Sequence, residues 1–187
     1  MENAEPGTHP ELMQALEAVE RDVAAFMGAL DDHEFVTGIG AAWSPAEHLA
    51  HLNIAVNAVA RGLSLPRLLV RLRFGRSRRV SRSFRELRDE YRARLAAGGK
   101  ASGPFIPGPP EPSREPAAAR QELARWTRVN QRLRRALLDW SEADLDRLQM
   151  PHPILGKITV REMVFFTIYH GGHHVAAARS RLSRFTQ

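Results

Sequence analysis

The stretch ITVREMVFFTIYHGGHHVAAARSRL, residues 158–182, decides the fold. It opens with Thr159-Val160-Arg161-Glu162, a capping box in which the threonine hydroxyl and the glutamate carboxylate take up free amides at a helix start. Ile158 and Met163 stand at the two positions of a hydrophobic staple. No proline follows, so the pattern predicts a helix to about Leu182. On it, His170 and His174 are four apart, which places both imidazoles on one face, one turn apart. Two neutral imidazoles at that spacing can close on one divalent ion without bending the helix. The competing reading is a partly exposed, histidine-rich helix end that also includes His173. A third ligand from elsewhere decides between them.

Working outward, the next well-marked start is Ser44-Pro45-Ala46-Glu47, a second capping box with proline at the first helical position, where its missing amide costs nothing. That helix runs to about Leu63, and His51, Ala55, Ala58 and Gly62 recur along one face. A histidine at the head of a small-residue groove leaves room for a non-protein group beside it. His48 occupies the staple position opposite Trp43, and packing on that ring accounts for it without a ligand.

Two further amphipathic helices complete the set. Leu12, Leu16, Val19, Val23, Phe26, Met27 and Leu30 repeat at three and four, predicting a first helix from Pro10 that ends before Gly38-Ile39-Gly40. Residues 1–9 read as a loose tail. From about Ala117 to Trp140, Leu123, Trp126, Thr127, Asn130, Leu133, Leu137 and Trp140 form the inward stripe of another. Ser141 caps a brief turn of helix, and residues 150–157 read as a proline-gated link, with no credible strand anywhere. Residues 66–116 form a crossover: a short helix around Leu68 and Leu72, a basic loop from Gly75 to Ser81, a helical piece from Phe84 to Ala97, then four glycines and six prolines from Gly98 to Pro116. The fold class expected is all-α, a four-helix bundle whose second and third long helices are joined by that crossover, in one domain over residues 1–187.

Composition narrows the chemistry. At 187 residues the chain can bury a substantial core. It contains no cysteine, so a cysteine nucleophile, disulfides and thiolate ligands are excluded, and any metal must rest on His, Asp, Glu or water. Neither a membrane span nor a signal peptide is visible, and a cytoplasmic location is expected. The net charge of +6 is unevenly spread. Twelve arginines lie between Arg61 and Arg94, opposed by Glu86, Asp89 and Glu90. Such a run suits a solvated surface, an anionic substrate, an acidic membrane or nucleic acid.

With both histidine-bearing helices placed, the chain resembles the DinB/YfiT-like superfamily of metal-dependent bundles. The resemblance rests on Trp43-Ser44-Pro45-Ala46-Glu47-His48-Leu49-Ala50-His51-Leu52, and on His152-Pro153-Ile154-Leu155-Gly156-Lys157-Ile158-Thr159 followed by His170 and His174. It implies a metal triad of His51, His170 and His174; His48, packed on Trp43, and His173, turned from the face of its neighbours, are expected outside it. Three neutral imidazoles leave open positions on a tetrahedral or octahedral ion, as in catalytic sites, and suit Zn²⁺, Ni²⁺ or Fe²⁺. Relatives often carry Gln three residues after the final histidine, where this chain has Ala177.

The resemblance further implies a transferase that activates a low-molecular-weight thiol (bacillithiol, mycothiol or glutathione) and adds it to an electrophile. The sulfur must then arrive with the cosubstrate, and crossover arginines could grip its carboxylates. The alternative is a non-enzymatic stress-response or binding protein retaining the fold. A nucleic-acid module ranks last, since the arginine run has no recognition-helix motif and few stacking aromatics. The partner expected is a small molecule, and a homodimer is left open.

Overall fold

Local chemistry sets the helix starts in the computed structural model, which describes residues 5–38, 42–107 and 116–183. Capping boxes open α1 (His9–Ala29) at Thr8 and Glu11, α2 (Asp32–Val36) at Asp31 and Glu34, and α3 (Pro45–Leu63) at Ser44 and Glu47. α4 (Arg67–Phe74) follows Pro66, and α5 (Phe84–Ala96) has its own box at Ser83 and Glu86. A 3₁₀ turn spans Gly103–Phe105. Then come α6 (Pro116–Leu137), α7 (Glu142–Arg147), β1 (Gln149–His152), β2 (Gly156–Thr159) and α8 (Val160–Leu182), the last capped by Thr159 and Glu162.

The four long helices, α1, α3, α6 and α8, form the bundle expected from the sequence: α3 lies along α6 and α8, and α1 along α6 and α8. Their apolar stripes meet in one cluster that includes Leu16, Leu49, Leu52, Trp126, Leu133 and Val164. The buried indoles are satisfied, Trp126 donating to the Glu20 carbonyl at 3.0 Å and Trp140 to the Leu63 carbonyl at 3.1 Å. At Gly171 the α1–α8 approach is so close that a Cβ would fall 2.6 Å from Val19 Cγ2.

Four expectations are corrected. The 150–157 link is an antiparallel hairpin pairing Met150 with Ile158 and Pro151 with Lys157. Met150 and His152 point inward while Pro151 is exposed, a period of two compressed into four residues around a proline. On α6, Thr127 is exposed and Val129 takes the inward place. The first helix divides at Asp31, whose side chain caps α2; Ile39 and Gly40 lie outside the described residues. The loose tail is shorter than expected, because Thr8 and His9 belong to the helix start and the Gly7 carbonyl accepts from Arg161 at 2.6 Å.

The basic loop of the crossover is fastened to a buried carboxylate at the start of α8. Glu162, fully buried, accepts from Arg79 Nη1 and Nη2 at 2.5 and 2.6 Å and from the Arg82 amide and Nε at 2.8 and 2.9 Å, while still capping Thr159 N at 2.9 Å. Burial alone would push its carboxyl up; the guanidinium and amide hydrogen bonds outweigh that and hold it at about 2. The start of α8 therefore organises the chain twice, as a helix cap and as the anchor of a basic loop some 80 residues away. Among the described residues no helix is long and apolar enough to cross a membrane.

Candidate metal centre

α3 delivers His51 and α8 delivers His170 and His174 to one buried point; all three are at most 7% exposed. Their donor atoms lie within 4.8 Å of one another. His170 Nε2 is 3.2 Å from His51 Nε2 and 3.0 Å from His174 Nε2. Nitrogens bound to one ion at about 2.0–2.1 Å would stand roughly 3.0–3.4 Å apart. Those two spacings match a shared ion, and the third pair, His51 with His174, lies within 4.8 Å.

Protonation supports the same fit. His51 Nδ1 is 2.6 Å from the Phe105 carbonyl, which can only accept, so the proton sits on Nδ1 and Nε2 presents a lone pair. Burial first, and then neighbouring imidazoles, hold His170 and His174 well below the usual histidine range. Burial likewise lowers His51 against the opposing Phe105 bond. All three are neutral donors near pH 7. A proton between two of the nitrogens satisfies one contact, whereas a cation at their centre satisfies all three.

His48 does more than pack. Its ring lies edge-on to Trp43 at 5.6 Å, as expected, but its Nδ1 is also 2.7 Å from His174 Nδ1. Arg181 Nη1, which can only donate, sits 3.1 Å from His48 Nε2. His48 thus accepts at Nε2 and donates from Nδ1 to His174, which leaves the His174 proton on Nε2. Taking up an ion at that nitrogen requires the proton to shift to Nδ1, which reverses the hydrogen bond with His48. His173 lies outside the converging group, its ring 5.8 Å from Tyr169.

A cavity of about 210 Å³ opens from His51 and His170. Ala55, Ala58 and Gly62 form one wall, as the small-residue face of α3 predicts; Tyr91, His152 and Phe166 contribute to another. His152 is buried, its Nδ1 accepting from the Ile154 and Leu155 amides at 3.1 Å each, so its Nε2 keeps a proton. Burial pushes the Tyr91 hydroxyl up to about 12 and His152 down to about 4. No Lys, Arg, Asp or Glu lines the cavity among the described residues. The expectation that crossover arginines would grip an anionic cosubstrate there is not met: Arg79 is held by Glu162, and Arg78 is exposed and outside the lining. Ala177 is half-buried and does not line it.

Sequence reasoning missed Tyr91, Phe105 and Arg181. None belongs to a motif, and each reaches the site across long sequence separations. His152 was visible within a quoted motif, but its burial depends on the hairpin.

A crossover four-helix bundle with three convergent, buried, neutral histidines beside an apolar cavity is the class that fold and site define. The DinB superfamily family model matches residues 15–178, and the chain belongs to that superfamily. Among solved structures, the chain is similar to the crystal structure of TT2238, a four-helix bundle protein, with a TM-score of 0.57 and 20% identity over 92% of this chain and 99% of that one. No curated protein matches.

Proposed function

We propose that the chain is a metal-dependent transferase, holding one divalent ion on His51, His170 and His174 and joining a small thiol to an electrophile with an apolar body. The observation that carries this reading is the convergence of three buried neutral imidazoles, two of which, His51 and His170, line an uncharged cavity. Zinc, nickel and iron(II) all suit three imidazoles. A bound ion lowers the pKa of a thiol or water that reaches it.

The chain's own residues do the rest. Phe105 fixes the His51 tautomer, and His48 orients His174. Apolar walls exclude water and favour an electrophile without charge. His152, its proton on Nε2, can donate a hydrogen bond to a polar group of that electrophile. The thiol comes with the cosubstrate, since the chain has no cysteine.

The test is a thiol-dependent conjugation assay on metal-loaded protein, with bacillithiol, mycothiol or glutathione against 1-chloro-2,4-dinitrobenzene. Conjugation above the uncatalysed rate, lost in His51→Ala, is expected. The second reading is a binding protein that keeps the fold without turnover. Ala177 favours it, since it stands where relatives often carry Gln. Retained metal with no conjugation for any thiol would select it.

A further inference from the structure

Residues 64–83 contain seven arginines and no aspartate or glutamate. The structure sorts those arginines into two groups. Arg67 pairs with Asp144, and Arg79 and Arg82 with Glu162. Arg71, Arg73, Arg76 and Arg78 are exposed, with no acidic partner among the described residues. α4 carries an equally uneven apolar distribution. Val70 is fully buried, while Leu68, Leu69 and Leu72 are 59%, 51% and 69% exposed and Leu65, just ahead of the helix, is 40% exposed. Leu68, Leu69 and Leu72 share one face of α4, and Leu65 precedes its cap. Val80, 89% exposed, adds to the same segment.

We propose that α4 and the loop after it dock on an anionic lipid surface, with the leucines entering the headgroup boundary and Arg71, Arg73, Arg76 and Arg78 meeting the lipid charges. Exposed leucines concentrated on a short helix rimmed by a single sign of charge match an interfacial amphipathic segment. The other occupants fit less well. A second copy on a twofold axis would set these arginines against one another, with no carboxylate from the segment to offset them. Nucleic acid would engage the arginines and leave the leucines in water.

The surface is held ready, because Val70 is buried in the core, α4 packs on β1 and Glu162 pins the following loop. Leu65 and Phe74, which bracket α4, also line the cavity. An apolar ligand dissolved in the lipid would meet the cavity at the docked face. This inference depends on the surface and not on the metal reading.

The experiment is cosedimentation of the intact protein with vesicles of phosphatidylcholine alone or with about one third phosphatidylglycerol. Binding to the anionic vesicles only, weakening as salt rises, is expected. Leu68→Ser with Leu72→Ser, and separately Arg71→Glu with Arg73→Glu, should each cut partitioning by about tenfold or more. Both pairs are exposed, so thermal melts should stay at the wild-type value. Absence of binding to anionic vesicles overturns the proposal, as does binding indifferent to the leucine pair. A vesicle-free dimer that the leucine pair converts to monomer assigns the face to a second copy. DNA retention lost with the arginine pair alone, without lipid binding, assigns it to nucleic acid.

Discussion

His48 Nδ1 and His174 Nδ1 lie 2.7 Å apart, so a ring outside the converging triad is hydrogen-bonded to a ring inside it. Partners of this kind fix ligand orientation and typically alter metal affinity by about 10–100-fold when removed. His48→Ala should therefore weaken the ion by about that factor, and His173→Ala should leave affinity unchanged. Competition against a chromogenic chelator measures both. Equal affinities for wild type and His48→Ala would reduce His48 to packing on Trp43, as the sequence alone suggested.

Glu162 is a buried carboxylate serving Arg79, Arg82 and the α8 cap together. Removing one partner of a buried charge pair typically costs about 3–5 kcal/mol. Arg79 is partly exposed, so the lower end applies: Glu162→Gln should lower stability by about 3 kcal/mol in urea unfolding. Arg78→Ala, on the exposed loop, should stay within about 0.5 kcal/mol of wild type. A neutral Glu162→Gln would mean that the crossover is not anchored there.

His152 gives the metal-free protein an acid-side liability. Burial lowers it from 6.5 to about 4, so between those values the unfolded chain binds a proton that the folded chain refuses. Stability must fall as pH falls through this window. The contribution of this one ring between pH 7 and 4.5 is about 2.5 kcal/mol. The drop in unfolding free energy over that range should be smaller by about that amount in His152→Gln. An identical drop in the two proteins would show that His152 is not buried as a neutral ring.

Gly171 has no room for a methyl group, since a Cβ would meet Val19 Cγ2 at 2.6 Å. Gly171→Ala raises helix propensity yet should destabilise by about 1–3 kcal/mol, the usual cost of overpacking. Pairing it with Val19→Ala should restore most of the loss. Thermal unfolding of the two variants measures the coupling, and a stabilised single variant would deny the close α1–α8 approach.

What the sequence made legible was local. Capping boxes at Ser44 and Thr159 placed α3 and α8 because their signal lies within four residues. The small residues after His51 foretold the cavity wall, because one helix face is a fixed spacing. The hairpin escaped notice because Pro151 lies inside a four-residue strand and reads as a breaker. Glu162 was seen as a cap, but its bonds to Arg79 and Arg82 span about 80 residues and no local pattern announces them. Likewise the His48–His174 bond and the Phe105 lock on His51 exist only after α3, α8 and the 3₁₀ turn have packed.

The central claim is one ion on three histidines, and metal content tests it most directly. Protein purified without a nickel column should be loaded with zinc, desalted and measured by inductively coupled plasma mass spectrometry. About one ion per chain is expected for wild type and for His173→Ala, with near-complete loss in His51→Ala, His170→Ala and His174→Ala variants that remain folded by circular dichroism. Wild-type protein that retains no ion, or a folded His51→Ala that retains as much as wild type, would contradict the account.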